Sequence, residues 1–298
     1  MTQQPQNMNT SGEADKSSAR RISRLALLKW GALTLATAAA IDGYGVEPRI
    51  LTLETREIPI AGLPSAFDGY RIALLTDLHY PRWITGDFLR QAISVADRFQ
   101  PDLMAFGGDL FDIRGLPRVP SVKGLYDEAK APDGVVGVLG NHDYGRPVKD
   151  VYREIARSTP IRMIENTSFT VERKGQALAI GGVGDLWHGV VNPRQAFAGV
   201  PPEVPRILLS HNPDVAEETS RSIRVDLQLS GHTHGGQVRL PFGPTLHVPS
   251  RYGNKFDQGL VQGWSHRVYV SRGICTVRWV RFCCPPEVTG ITLRSAPA

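Results

Sequence analysis

The sequence contains few cysteines, and their spacing matches no common metal or disulfide framework. Its three cysteines, Cys275, Cys283 and Cys284, form no CxxC or CxxxC pair, which argues against a zinc ribbon. So small a number also excludes a small scaffold held together by several disulfides. A Cys275–Cys283 disulfide and buried free thiols both remain open, and we favour the free thiols.

A strong charge of one sign is also lacking. The 34 basic and 29 acidic residues leave a formal net charge of +5, and no run rich in Lys or Arg occurs beyond the N-terminus. Nucleic acid is therefore not an expected partner. With 41% apolar and 21% charged residues among 298, the chain has an ordinary globular composition. It is long enough for one large domain or two modest ones.

The N-terminal region differs from the rest of the chain. Residues 1–18 are polar, rich in Gln, Asn, Ser and Thr, and are predicted to be a disordered tail. Residues 19–45 have the order of an export signal or membrane anchor: basic residues, an apolar run from Trp30 to Ile41, and small residues at its end. This run is shorter than the ~20 apolar residues that a spanning helix needs, so a signal is favoured over an uncleaved anchor.

The pair Arg20-Arg21 indicates a particular export route. Two arginines ahead of an apolar segment are typical of bacterial twin-arginine signals. We therefore expect the protein in the cell envelope, either in the periplasm or on the outer face of the cytoplasmic membrane. Residues 25–41 would attach it to the membrane if the segment is retained. A buried N-terminal helix of a cytosolic protein is the remaining alternative.

Residues 50–298 are predicted to form one α/β domain. Short apolar strands alternate with segments of helical spacing, as in strand Ile72–Leu75 followed by the helix in GDFLRQAISVADRF. Further helices are expected around Ser121 to Lys130 and in VKDVYREIAR, so the first half predicts a mostly parallel sheet. The second half is richer in strands, and two packed sheets are the simplest account of the whole. The strands expected there are Ser168–Glu172, Leu178–Val183, Arg206–Ser210, Val225–Leu229, Gln237–Leu240, Val268–Ser271 and Val288–Leu293.

Polar side chains follow five of the predicted strands, at the point where each strand ends. In open α/β sheets, ligands bind just beyond the carboxyl ends of the strands. Two of the intervals, from Asp77 to Asp109 and from Asp109 to Asn141, are each 32 residues, about the length of one βαβ step. The side chains at these strand ends are Asp77 and His79; Asp109; Asn141, His142 and Asp143; His211; and His232 and His234.

These residue types together indicate a metal site. Each fragment alone has an ordinary explanation, because Asp often caps a helix and Asn-His-Asp is good turn chemistry. Five strand ends with such groups are far less expected by accident. Mixed oxygen and imidazole donors suit Mn²⁺, Fe and Zn²⁺. The sequence therefore predicts metal ions at the ends of the strands.

The same residues resemble a known family. DLH, GGDLFD, GNHD, SH and GHTH are similar, in the same order, to the five signature blocks of the calcineurin-like metallophosphoesterases. The resemblance covers about Tyr70 to Leu293. GHTHGGQVRLP and RFCCPPEVTGITL resemble the bacterial exported or membrane-anchored branch. The resemblance implies two packed mixed β-sheets sandwiched between helices, a four-layer fold, with two metals at the strand ends.

The resemblance also implies a role for each residue of these blocks. His142 would be a histidine that faces the substrate phosphate without binding metal, and Asp112 would be the acid that orients it. Ile113 follows Asp112 where the protein-phosphatase branch has an arginine, and Arg114 comes one position later, which argues against phosphoprotein substrates. The implied ligands are Asp77, His79, Asp109 and His234 for the first metal, and Asp109, Asn141, His211 and His232 for the second.

The implied activity is that of a dimetal phosphohydrolase, with phosphodiesterase favoured. Two divalent ions (Mn, Fe or Zn) would hold a bridging hydroxide for in-line attack on phosphorus, and His142 would be the general acid. The expected partner is a small anionic phosphoester such as a lipid headgroup or a cell-wall phosphodiester, whose binding loops 113–133 and 184–204 should shape. A phosphomonoesterase with the same site and a catalytically inert metal-binding envelope protein are the alternatives.

Overall fold

A computed structural model describes residues 23–144, 147–219, 223–241 and 243–297 of the chain. The predicted disordered tail and the Arg20-Arg21 pair lie outside the described residues. Contacts divide the chain into two compact units between Ala39 and Ala40. The domain bounds expected from the sequence, 19–45 and 50–298, stay predictions.

The N-terminal apolar segment forms a helix, α1 (Arg24–Ile41). Its leucines, alanines and single tryptophan occur on all sides of the helix, which is the pattern of a buried or membrane helix rather than an amphipathic one. Helical turns continue the segment to Arg49, and the stretch Arg24–Arg49 is long and apolar enough to cross a membrane by length and composition. The helix is thus longer than the apolar run that the sequence alone marks.

Residues 50–297 form two β-sheets of six strands each. The strands in the described part of the chain are, in order, β1 (Thr52–Ala61), β2 (Arg71–Leu75), β3 (Leu103–Gly107), β4 (Val135–Val138), β5 (Arg162–Met163), β6 (Thr167–Arg173), β7 (Gln176–Gly182), β8 (Arg206–Leu209), β9 (Leu227–Ser230), β10 (Gly259–Gln262), β11 (Arg267–Val270) and β12 (Glu287–Ala296).

Both sheets are mixed, with a parallel centre. The first has the order β1-β12-β2-β3-β4-β5 and the second β10-β11-β9-β8-β7-β6. Strands β2 to β5 run parallel to one another, as do β7, β8, β9 and β11. Strand β12 lies antiparallel to β2, and β6 and β10 lie antiparallel to their neighbours. The carboxyl ends of the parallel strands in each sheet therefore meet at one edge.

Alternating side chains of each inner strand pack into different hydrophobic cores. Ile72 and Leu74 of β2 belong to the core between the two sheets, which strands β8 and β9 also fill. Ala73 and Leu75 face the other way, into a core beneath the helices of the first sheet. A third cluster packs on the outer face of the second sheet. This layering confirms the predicted two sheets sandwiched between helices.

The helices that cover the sheets are α2 (Gly86–Arg98), α3 (Val148–Ser158), α4 (Pro193–Ala196) and α5 (Val215–Glu218). At the start of α2 the Thr85 side chain accepts a hydrogen bond from the backbone nitrogen of Phe88, a normal N-cap. The helix expected around Ser121 to Lys130 is wrong, because this stretch forms turns. Pro120 precedes it and Gly124 has a φ of +80°, a conformation that interrupts a right-handed helix.

The strand expected at Gln237–Leu240 is also wrong. Val238 and Arg239 make only isolated bridges, to Phe282 and Thr245. Strand β1, by contrast, carries no strong sequence pattern, yet it pairs along its whole length with β12. Its position at the edge of the sheet explains the weak pattern, because much of it remains exposed.

Candidate metal centre

The predicted ligand residues converge at the edge where the parallel strands of both sheets end. Asp109 lies at the centre of the cluster: its Oδ2 is 3.3 Å from Nε2 of His79 and 3.2 Å from Nε2 of His211. His79 follows β2 of the first sheet and His211 follows β8 of the second. One carboxylate oxygen therefore faces imidazoles from both sheets.

The remaining donors surround this centre. Oδ1 of Asp77 is 3.4 Å from Nε2 of His234, and Nδ1 of His232 is 3.2 Å from Nε2 of His211. Asn141 lines the same cavity as Asp109, and its buried Oδ1 has no hydrogen-bond partner among the described residues. The structure thus brings together all seven residues: Asp77, His79, Asp109, Asn141, His211, His232 and His234.

The backbone of this cluster is strained. A positive φ is uncommon for residues other than glycine, and such conformations concentrate at functional sites because the surroundings must enforce them. Here the chain turns sharply at each strand end so that consecutive donors face inward. The ligand residues with left-handed φ are Asp77 (56°), His79 (50°), Asp109 (51°), His232 (73°) and His234 (52°).

Glycines beside the donors allow the loops to approach one another closely. A Cβ on Gly140 would lie 2.3 Å from Oδ1 of Asp109, and one on Gly231 would lie 2.2 Å from Oδ2 of Asp77. A Cβ on Gly108 would lie 2.7 Å from Nδ1 of His211. A side chain at any of these glycines, which belong to GGD, GNHD and GHTH, would therefore collide with a donor residue.

Burial and charge determine the protonation of the donors. Burial lowers the pKa of His79 and of His234 to about 3, and it holds the pKa of His232 well below its ordinary value. These three imidazoles are neutral at neutral pH, so each keeps a lone pair. For His211, burial lowers the pKa, but the Asp109 carboxylate outweighs it and raises the value to about 10.

The orientation of the His211 ring is set by the backbone. Its Nδ1 is 2.9 Å from the carbonyl oxygen of Gly107, so Nδ1 carries a hydrogen and donates it. Nε2 therefore faces Asp109, which is how the second nitrogen of a metal-binding histidine is usually held. Burial would raise the pKa of Asp109, but His211 and His79 outweigh it and hold the value well below the ordinary one. The centre thus contains a charged carboxylate.

The donor set fits metal ions. Both ring nitrogens of His79 and Nε2 of His232 are buried without a hydrogen-bond partner among the described residues, although buried polar atoms nearly always have one. Three groups of potential ligand atoms lie within 4.8 Å of one another: Asp77, Asp109 and His211; His79, Asp109 and His142; and His79, His234 and Cys275.

His142 and Asp112 lie together beside this cluster. Nδ1 of His142 is 3.4 Å from Oδ2 of Asp112, and the ring packs edge-on against His79 at 4.4 Å between centroids. The same Oδ2 accepts a hydrogen bond of 3.2 Å from the Trp83 indole. Burial would raise the pKa of Asp112, but His142, His79 and Arg114 outweigh it and lower the value to about 2. Asp112 is therefore a charged carboxylate beside the imidazole.

Arg114 reaches this pair from two positions beyond Asp112. One guanidinium nitrogen lies 2.6 Å from Nδ1 and 2.9 Å from Nε2 of His142, and Nε lies 3.7 Å from Asp112. The long side chain makes up for the one-residue offset. Positive charge therefore lies directly beside the histidine.

Two supporting residues had no role assigned from the sequence, although Asp143 was among the strand-end side chains. Buried Asp143 accepts hydrogen bonds from the backbone nitrogens of Leu110, Phe111 and Gly140, which ties the GGD loop to the GNHD loop. Cys275 places its Sγ 3.9 Å from Nδ1 of His234. Asp143 was recognisable from its place in GNHD, whereas nothing local to Cys275 indicated its position.

The free thiols favoured from the sequence are what the structure contains. Cys275, Cys283 and Cys284 are all unpaired. Cys275 and Cys284 are buried as expected, but Cys283 is exposed. The Cys275–Cys283 disulfide is therefore not formed.

A cavity of about 430 Å³ opens beside the cluster. Its walls come from Trp187, Leu246, His247 and the pair Val277-Arg278, together with the metal-centre residues. The loop 184–204 contributes Trp187, as expected from the sequence. No described residue of 113–133 lines this cavity, because Ile113, Val122 and Tyr126 turn inward into the core of the first sheet.

Comparisons with known proteins agree with this site. The chain is 33% identical to the uncharacterized metallophosphoesterase YkuE of Bacillus subtilis, over 93% of this chain and 99% of that protein. It is 31% identical to the phosphodiesterase YaeI of Escherichia coli, over 87% of this chain and 96% of that protein. It is 28% identical to the UDP-2,3-diacylglucosamine pyrophosphatase LpxG of Chlamydia trachomatis, over 76% of this chain and 85% of that protein.

The family comparison covers the same part of the chain as the metal centre. Residues 70–236 match the family described as calcineurin-like phosphoesterase. This range contains all seven predicted ligand residues. The resemblance seen in the signature blocks is thereby confirmed. The chain belongs to the calcineurin-like phosphoesterases and is a metal-dependent phosphoric ester hydrolase.

Proposed function

We propose that the protein is a dimetal phosphodiesterase. The observation that carries this proposal is the position of Asp109, whose single oxygen Oδ2 lies 3.2–3.3 Å from histidines of both ligand sets. A carboxylate so placed can belong to two ions at once. Two-metal sites of about 3.5–4 Å separation are typical of phosphoester hydrolysis.

The seven donors divide into two sets around Asp109. Two divalent cations, Mn²⁺, Fe or Zn²⁺ by donor type, would activate a water and neutralise the phosphoryl oxygens. The residues that would hold the first ion are Asp77, His79, Asp109 and His234, and those that would hold the second are Asp109, Asn141, His211 and His232. The strained backbone and the close glycines hold these donors in position before any substrate arrives.

His142 is the proposed general acid. Asp112 lies 3.4 Å from its Nδ1 and would orient the ring so that Nε2 delivers a proton to the leaving oxygen. The ring borders the cavity, and Arg114 adds positive charge beside it. This arrangement favours an anionic substrate with a poor leaving group.

The preference for diesters rests on relatives as well as geometry. YaeI is named a phosphodiesterase, and LpxG a pyrophosphatase that acts on a diacylated sugar nucleotide. Both names describe phosphorus that carries two substituents. We therefore propose a phosphodiester or diphosphate of the cell envelope as the substrate class.

Two nitrophenyl substrates test the proposal. The metal-loaded full chain should hydrolyse bis(4-nitrophenyl) phosphate with a higher kcat/KM than 4-nitrophenyl phosphate. The reverse order would make the protein a phosphomonoesterase with the same site. No hydrolysis of either ester by protein that carries two ions would mean an inert metal-binding protein.

Gly140→Ala should disrupt the metal centre without replacing a proposed ligand. The new methyl group would lie 2.3 Å from Oδ1 and 2.5 Å from the nitrogen of Asp109, so the bridging carboxylate must move. We expect bound metal, measured by elemental analysis, to fall well below that of the wild type. Gly45→Ala is the matched control, because its Cβ meets nothing within 4 Å. Full metal content in Gly140→Ala would contradict the bridging position of Asp109.

We also propose that the protein works at the cell envelope, on the outer side of the cytoplasmic membrane. Support comes from the helical stretch Arg24–Arg49 and from relatives such as a transmembrane protein with a metallophosphoesterase domain, which is 29% identical. The double substitution Arg20→Lys/Arg21→Lys should leave the protein inside the cell, as fractionation and immunoblotting would show. Unchanged localisation of that variant would remove the twin-arginine route but leave membrane attachment through residues 25–41 intact.

A further inference from the structure

A second, apolar cleft lies next to the cavity of the metal centre. It has a volume of about 190 Å³, and aromatic and aliphatic side chains form most of its walls: Tyr44, Trp83, Ile84, Phe88 and Trp279. Trp279 leaves 61% and Tyr44 60% of its surface exposed. Large aromatic residues so exposed are costly in water and mark binding surfaces when they line one concavity.

One short segment separates the cleft from the metal centre. Thr276 and Trp279 line the apolar cleft, whereas Val277 and Arg278 line the cavity that contains Asp109 and His142. Arg278 and Trp279 have φ values of 58° and 62°, an unfavourable conformation for both residues. Their strained turn places Arg278 at the cavity of the metal centre and the Trp279 indole at the apolar cleft.

Trp83 connects the cleft to Asp112, the proposed partner of His142. Its ring packs edge-on against Trp279 at 5.6 Å, so both indoles belong to the same cleft. Its Nε1 donates to Oδ2 of Asp112, the carboxylate that lies 3.4 Å from His142. Two side chains, Trp83 and Asp112, would therefore connect an occupant of the cleft to the proposed general acid.

The cleft also begins close to the apolar helix along the chain. Tyr44 follows Ile41, the last residue of α1, by three positions, and three residues span at most about 11 Å. If α1 attaches the protein to the membrane, as proposed above, Tyr44 follows the attached segment closely along the chain. Aromatic side chains are enriched at membrane–water interfaces.

Arg278 and several imidazoles line the cavity of the metal centre, whereas mostly apolar side chains, with Arg49 among them, line the neighbouring cleft. A polar site beside an apolar one matches an amphiphile. We propose that the substrate is a lipid phosphoester whose phosphorus lies at the metal centre and whose aliphatic chain lies in the cleft of Trp83 and Trp279. This inference rests on the proposed phosphodiesterase function and adds the class of its substrate. The cleft then selects substrates by the length of an alkyl substituent, since burial of apolar surface is what it can supply.

A series of 4-nitrophenyl alkyl phosphates tests this selection. Methyl, butyl and octyl diesters, each below its critical micelle concentration, would be given to the metal-loaded full chain. We expect kcat/KM to rise by up to about fourfold per methylene, the equivalent of ~0.8 kcal/mol per buried CH₂, and to level off once the cleft is full. In the Trp279→Ala and Phe88→Ala variants, kcat/KM should increase less steeply with the length of the alkyl chain.

Trp264→Ala is the matched control. Trp264 is exposed to a similar degree, 58%, but is not part of the cleft walls, so this variant should keep the wild-type dependence on chain length. The ratio of octyl to methyl kcat/KM is measured within each preparation, so a partly unfolded variant still reports it. Wild-type ratios in both Trp279→Ala and Phe88→Ala would overturn the proposal.

The test separates failure of this inference from failure of the proposed function. Hydrolysis of all three esters with the same kcat/KM would leave the phosphodiesterase intact and remove the lipid chain from the cleft. If none of the three esters is hydrolysed, the proposed phosphodiesterase function itself is contradicted. Equal rates together with a sedimentation coefficient that rises with protein concentration would assign the cleft to a second copy of the chain.

Discussion

Asp109→Asn should abolish binding of both metal ions and nearly all activity. Asn keeps the size of the side chain but removes the negative charge that His79 and His211 both face at 3.2–3.3 Å. A metal centre contributes several kcal/mol to the transition state, and each 1.4 kcal/mol is worth about tenfold in rate. We therefore expect kcat/KM to fall by at least ~10²-fold and elemental analysis to find less than one ion per chain.

His211→Ala provides the matched comparison for that variant. His211 would belong to the second ion alone, and its Nδ1 is held by the Gly107 carbonyl rather than by another ligand. This variant should therefore lose about one of two ions, whereas Asp109→Asn loses both. A fully active wild-type protein with a single bound ion would contradict the two-metal proposal altogether.

His142→Ala should separate metal binding from proton transfer. If His142 binds no metal, the variant keeps two ions, because the other donors are unchanged. General acid catalysis is typically worth ~10²–10⁴ in rate, and a poor leaving group depends on it most. We expect a loss of that size on a glycerophosphodiester, whose alkoxide needs a proton, and a small loss on bis(4-nitrophenyl) phosphate, whose nitrophenolate does not.

Asp112→Asn is the companion variant. Asp112 acts on the substrate only through the imidazole, 3.4 Å away, so the same substrate dependence should appear in a milder form. Equal losses on both substrates in His142→Ala would mean that the ring stabilises phosphate charge instead of donating a proton. Loss of one ion in that variant would place His142 among the ligands, a position that its closeness to His79 and Asp109 permits.

The proposed ligands were predictable because they lie where local sequence patterns are strongest. The strands before Asp77, Asp109 and His211 are buried on both faces, so they appear in the sequence as continuous apolar runs that end abruptly in polar residues. Burial of a strand and exposure of its end are both local properties. A single sequence therefore indicated the strand ends and the donor types.

Residues that act through distant contacts were much less predictable. Cys275 reaches His234 because β11 and β12 bring the end of the chain back to the metal centre, and nothing near Cys275 in the sequence indicates this. Arg114 lies one position beyond the arginine of the protein-phosphatase branch, and no local pattern indicates that its flexible side chain reaches His142. The stretch Ser121 to Lys130 was misread as a helix because its apolar residues serve core packing rather than a helical face.

The sequence by itself determined the layered α/β architecture, the donor types and their order, since apolar periodicity and strand-end chemistry are encoded within short windows. Only the tertiary structure decided which donors share an atom and which walls surround them. Asp109 contacts His211 across 102 positions of sequence, and β1 pairs with β12 across more than 200. The first contact depends on how two sheets pack face to face, and the second depends on pairing between strands at opposite ends of the domain. No local pattern specifies either.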